Sequence, residues 1–125
     1  MKHALILLVL LVLVVGAVPA TAGKEYSCNM AAFSAQDLEQ YRTLSENLRA
    51  SLKETKELGN GYAFKLPGDA LVSTSQWIAY ERRCCPFFDF ALELPHDGGP
   101  LWVRITGEPG VKQFIATEFD FVAHR

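Results

Sequence analysis

Pro86 divides the stretch that most constrains this chain, Glu81-Arg82-Arg83-Cys84-Cys85-Pro86-Phe87-Phe88-Asp89-Phe90. Proline has no amide hydrogen to donate and biases the residue before it towards extended backbone. A helix arriving from the N-terminal side must therefore stop at Cys85. Beyond the proline the apolar period changes. Phe88, Phe90, Leu92 and Leu94 alternate with Asp89, Ala91 and Glu93, which predicts a strand with one buried face. Pro95-His96-Asp97-Gly98-Gly99-Pro100 reads as a turn. Leu101, Val103 and Ile105 then alternate with Trp102 and Arg104, so the two strands should form an antiparallel hairpin.

The rest of the chain is read outward from that stretch. The helix ahead of the proline is expected from about Ala70 or Ser73 to Arg83, with Ser73 and Gln76 at capping-box spacing. Ahead of it, Tyr62, Phe64 and Leu66 alternate with Ala63 and Lys65, a short strand that turns at Pro67-Gly68-Asp69. A longer helix is expected to begin at Ser34, with Asp37 three residues on as its capping partner. Leu38, Tyr41, Leu44, Leu48, Leu52 and Thr55 carry its apolar face, and Leu58-Gly59-Asn60-Gly61 should end it. A first strand is expected over Tyr26–Phe33. Thr106-Gly107-Glu108-Pro109-Gly110 reads as a loop, and Val111, Phe114, Ile115, Glu118, Phe119 and Val122 as a closing amphipathic helix. The order β-α-β-α-β-β-α predicts an α+β domain, with helices on one face of a small, mainly antiparallel sheet.

Residues 1–22 read as an export signal. Met1-Lys2-His3 is a basic start, Ala4 to Val15 is unbroken and apolar, and Ala20-Thr21-Ala22 offers a small-x-small site for cleavage before Gly23. The apolar run falls short of the roughly 20 residues that span a bilayer. Residues 23–125 then form one domain, expected in the periplasm or outside the cell. Of 12 basic residues against 14 acidic ones only Lys2 leaves with the signal, so the mature chain is mildly acidic. With no basic patch it gives no footing for nucleic acid.

Export to an oxidising compartment makes the three cysteines informative. An odd number cannot all pair within one chain, so at least one is free, metal-bound or joined to a partner. Cys84 and Cys85 are adjacent, and a disulfide between them would close a strained ring. As thiolates they are two soft donors at short range, suited to mercury(II), copper(I) or arsenic(III) rather than to magnesium or calcium. Cys28 is the candidate third sulfur, and the alternatives for it are a disulfide with Cys84 or Cys85, or plain burial. Glu81, one helical turn before the pair, can face the same pocket as a ligand or proton acceptor. Its ordinary alternative is an ion pair with Arg82 or Arg104.

Two other functions compete with metal binding. In one, Cys84 or Cys85 is a redox nucleophile with Glu81 as its base. In the other, the cysteines only pack among Phe87, Phe88 and Phe90, as buried free cysteines do. The helix C-terminus and Glu81 disfavour a thiolate, whereas Arg82 and Arg83 favour it. His96 in its turn and His124 near the end read as exposed. No Ser/His/Asp or His-x-x-x-His pattern is present.

Glu81-Arg82-Arg83-Cys84-Cys85-Pro86-Phe87 resembles the Glu-Arg-x-Cys-Cys-Pro-Phe core of a group of small, largely uncharacterised bacterial proteins. Trp77, Gly61-Tyr62-Ala63-Phe64, Leu101–Gly107, Val111-Lys112-Gln113-Phe114-Ile115 and Cys28 extend the likeness over nearly all of residues 23–125. The resemblance implies a shared fold and a shared site at Glu81, Cys84 and Cys85. It also implies an association with heavy-metal handling.

Overall fold

The computed structural model describes residues 23–119. The expected signal peptide, Val122 and His124 lie outside the described residues. Among the described residues, three α-helices and a four-stranded antiparallel sheet form an α+β fold. The helices are α1 (Ala35–Ser51), α2 (Leu71–Cys84) and α3 (Val111–Glu118); the strands are β1 (Glu54–Leu58), β2 (Gly61–Leu66), β3 (Asp89–Glu93) and β4 (Leu101–Thr106). In space the strands run β1-β2-β4-β3.

The central pair β2–β4 shows why the helices lie on one side. Tyr62, Phe64 and Leu66 stand opposite Ile105, Val103 and Leu101, and all six are buried. Directly opposed residues share a face, so these six make one continuous apolar surface. Leu48 of α1, Trp77 of α2 and Val111 and Ile115 of α3 pack into the same core. The other face carries Lys56, Lys65, Trp102, Arg104 and Glu93. There Lys56 lies 4.3 Å from the Trp102 ring centroid, and Arg104 pairs with Glu93 at 2.9 Å. Among the described residues no helix is long and apolar enough to cross a membrane.

Two elements differ from expectation. No strand forms over Tyr26–Phe33; the segment has no regular structure apart from a 3-10 turn at Met30–Ala32. Its polar groups bond elsewhere. The Asn29 N–H donates to the Cys84 carbonyl at 2.7 Å, and Arg83 donates to the Ala32 carbonyl at 3.0 Å. The fourth strand comes instead from residues expected at the end of α1. Leu52 leaves the helix with φ −58° and ψ 127°, and Glu54–Leu58 then pairs with Lys65–Gly61 across a turn at Gly59-Asn60. Thr55 falls on a helical period by spacing alone, but an edge strand completed by Lys65–Glu54 and Lys56–Trp102 contacts overrides it.

Smaller corrections concern helix starts and the strand after Pro86. The Ser34 hydroxyl accepts the Asp37 N–H at 3.1 Å and the Asp37 carboxylate bonds back to Ser34, the expected capping box, while the same carboxylate pairs with Arg83 at 3.0 Å. Ser73 does not cap α2, which grows directly from a 3-10 turn at Gly68–Ala70; its hydroxyl donates to the Ala70 carbonyl. Along the edge strand β3 and its flanks, burial is carried by Phe88, just before the strand, and Phe90, while Leu92 and, just beyond the strand, Leu94 are exposed.

Gly61 opens β2 at a point where backbones meet. A Cβ there would overlap the Ile105 carbonyl oxygen. Gly61→Ala should therefore lower the unfolding free energy by about 2 kcal/mol, as forced overpacking does. Urea unfolding checks this, with Gly59→Ala, whose added carbon meets nothing, as the control.

Candidate functional site

The site forms where the end of α2 meets the N-terminal segment. On α2, Thr74, Trp77, Glu81 and Cys84 recur at spacings of three and four and are buried. Pro86 ends the helix as expected. Cys85 caps it with φ −126° and ψ 68°, and its N–H still bonds the Glu81 carbonyl at 2.7 Å. This half-turn out of helical geometry swings the Cys85 side chain towards the N-terminal segment. That segment is held in place by Asn29 on the Cys84 carbonyl, by the Tyr26 hydroxyl on the Pro109 carbonyl at 3.3 Å, and by the Tyr26 ring 4.8 Å from Phe87.

Cys28 consequently meets Cys85 and is bonded to it in a disulfide, leaving Cys84 as the free thiol among the described residues. The Cys84 and Cys85 sulfurs are 3.3 Å apart. The Cys84 thiol also lies 3.9 Å from Glu81 Oε2 and 3.7 Å from the Glu81 carbonyl. All four residues predicted for the site are thus brought together. The ligand atoms of Cys28, Glu81, Cys84 and Cys85 lie within 4.8 Å of one another.

Glu81 makes neither of the ion pairs considered for it. Arg104 is on the far side of the sheet with Glu93, and the Glu81 carboxylate accepts the Tyr41 hydroxyl at 2.8 Å. Burial pushes the Glu81 carboxyl up to about 7, and the bonds from Tyr41 and Cys84 only partly offset that cost. The Cys84 thiol is raised to about 12, first by burial and then by the neighbouring Glu81 charge. Arg83, which could favour a thiolate, spends its guanidinium on Asp37 and the Ala32 carbonyl. Cys84 is therefore a protonated thiol at neutral pH, which works against an activated nucleophile despite its contact with the disulfide. Tyr41 itself is pushed further up by burial and by the Glu81 charge.

The donor set fits a soft ion once the disulfide is reduced. Thiolate–metal bonds of about 2.3 Å put three sulfurs around one ion about 4 Å apart, so the Cys28 and Cys85 sulfurs, bonded here, must part on reduction, and the Cys84 and Cys85 sulfurs, 3.3 Å apart, must open slightly. Three sulfurs and one carboxylate match mercury(II), copper(I) or arsenic(III) and leave a calcium or magnesium ion short of oxygen. His96 is exposed in its turn, as expected.

Sequence reasoning missed Tyr41. It read as one apolar-face residue of α1, although a buried tyrosine hydroxyl needs a partner and Glu81 was the nearest unpaired candidate in chemistry. The cavity beside the site was also missed, because its walls come from every layer of the fold. The chain matches no protein-family model, no curated protein and no solved structure.

Proposed function

We propose that this is an exported thiol protein that binds one soft metal or metalloid ion through Cys28, Cys84 and Cys85, with Glu81 accepting a thiol proton. The observation that carries the reading is the convergence of three sulfurs and one buried carboxyl within 4.8 Å. The Cys28–Cys85 disulfide closes the site, and two-electron reduction by an external dithiol opens it. Metal binding then supplies the energy that deprotonates the Cys84 thiol, which burial otherwise keeps protonated. A disulfide between distant residues is compatible with an oxidising compartment and supports export. The likeness of the Glu-Arg-x-Cys-Cys-Pro-Phe stretch to its bacterial group points to the same residues.

The test is titration of reduced and oxidised protein with mercury(II), arsenite and copper(I), read by native mass spectrometry. The reduced protein should take up one ion per chain, and the oxidised protein should bind at least about 100-fold more weakly, having lost two of its sulfurs. A Cys84→Ser/Cys85→Ser double variant should lose the adduct. An equal adduct in that variant, or none in the reduced wild type, would sink the reading.

A further inference from the structure

A cavity of about 550 Å³ opens beside the thiol site. Leu48, Phe64, Leu66, Trp77 and Phe119 form much of its wall, Met30 lies at its rim, and Cys28 and Glu81 lie on its surface. Cys84 and Cys85 do not line it. The cavity therefore presents one cysteine sulfur and one buried carboxyl to a mainly apolar space, in which Tyr41, Ser45, Arg49 and Glu118 supply the remaining polar lining of note. Glu81 is 1% exposed.

A bare ion held by three sulfurs has no use for this volume. A dry cavity of about 150 Å³ already takes a benzene ring, so this space holds an organic group with room to spare. Small-molecule sites are commonly mainly apolar, with a few polar groups that fix orientation. Here the orienting group is the Cys28 sulfur, a thiol once the disulfide is reduced, and thiols select soft electrophilic centres.

We infer that the ligand is an organic-substituted soft metal or metalloid, in which one aryl or alkyl group on arsenic(III) or mercury(II) fills the cavity while the soft atom is held by sulfur. This rests on the soft-ion reading of the same site and names its ligand class. For an arylarsenic(III) oxide the step balances without oxidation. Two thiols each form an arsenic–sulfur bond, the arsenic–oxygen bonds break, one water leaves, and arsenic stays trivalent. The two thiols are Cys28, which faces the cavity, and Cys85, which lies within bonding reach of it in the disulfide. Cys84 is spared. Inorganic arsenite, with three exchangeable oxygens, uses all three sulfurs.

Competition titrations of the reduced protein with phenylarsine oxide and arsenite, run beside a small dithiol such as dithiothreitol, test this. The preference for the phenyl compound over arsenite should be at least about tenfold greater on the protein than on the small dithiol, since the ring leaves water for an apolar wall. Leu52→Trp and Met30→Trp, two separate substitutions at residues lining the cavity, should return that preference to the small-dithiol value and leave arsenite binding unchanged. Cys84→Ser should keep the phenylarsenic adduct and weaken arsenite at least about tenfold. Arsenite binding with only the small-dithiol preference would overturn the cavity assignment and leave the soft-ion reading standing. Failure of the reduced protein to bind either compound would overturn both.

Discussion

Cys28→Ser lowers the unfolding free energy of the oxidised protein by about 4 kcal/mol on the chain-entropy account of cross-links. The bond joins residues separated by 57 positions, so it closes the whole of α1, β1, β2 and α2 into one loop. For a domain near 100 residues this corresponds to a fall in Tm of roughly 20 °C. Thermal and urea unfolding of oxidised wild type, reduced wild type and Cys28→Ser provide the check, and the last two should coincide. A change in Tm of only a few degrees would show that the N-terminal segment peels away without consequence for the rest. That outcome is disfavoured because the segment contributes more than its sulfur. Asn29 satisfies the Cys84 carbonyl, Arg83 reaches the Ala32 carbonyl, and Tyr26 packs on Phe87. On the soft-ion reading, an ion bound by the reduced protein would re-join the same two positions. Saturating arsenite should therefore recover much of the lost stability, by an amount that grows with free arsenite concentration as binding linkage requires.

How much of this was legible beforehand depends on where the determining physics lay. Pro86 and the alternation after it are local, and they gave the end of α2 and the hairpin β3–β4 correctly. The Ser34 cap is local as well. Glu54–Leu58 was misread because its helical period and its strand geometry are both compatible with the residues. The decision is made across the sheet, by Lys65 and Trp102. Tyr26–Phe33 failed for a related reason. Its mixed pattern suits an edge strand, but its backbone groups find partners at the end of α2. Cys28, Glu81, Cys84 and Cys85, which the fold brings together, could be singled out because three cysteines and a carboxylate are rare enough to weigh individually. Which cysteine pairs with which was not readable, since it follows from the turn of Cys85 out of the helix and from the clamp on Asn29. The cavity was the least accessible feature of all, since no single segment builds it.

Glu81 should make the protein less stable as pH rises through neutrality. Its folded-state value of about 7 stands above the ordinary 4.5, so the folded chain favours the protonated acid. The stabilisation this gives is fully present below about pH 4.5 and is lost as pH climbs through 7, where the buried carboxyl must ionise. The linkage amounts to roughly 2–3 kcal/mol between pH 5 and pH 8. Tyr41 and Cys84, the titrating neighbours that touch this carboxyl, are both raised well above that window, so neither supplies a compensating charge change. Urea unfolding across this range measures the slope. Glu81→Gln keeps an oxygen for the Tyr41 hydroxyl and cannot ionise, so its profile should be flat by comparison and cross above that of the wild type near neutrality. Parallel profiles would mean that Glu81 is solvated well enough to ionise freely. The same substitution separates stability from function. A glutamine cannot accept the Cys84 proton, so soft-ion uptake by reduced Glu81→Gln should need a higher pH than in the wild type. A carboxyl kept at this cost in the core, beside a thiol and a disulfide, fits a group retained for proton handling rather than for the stability of the fold.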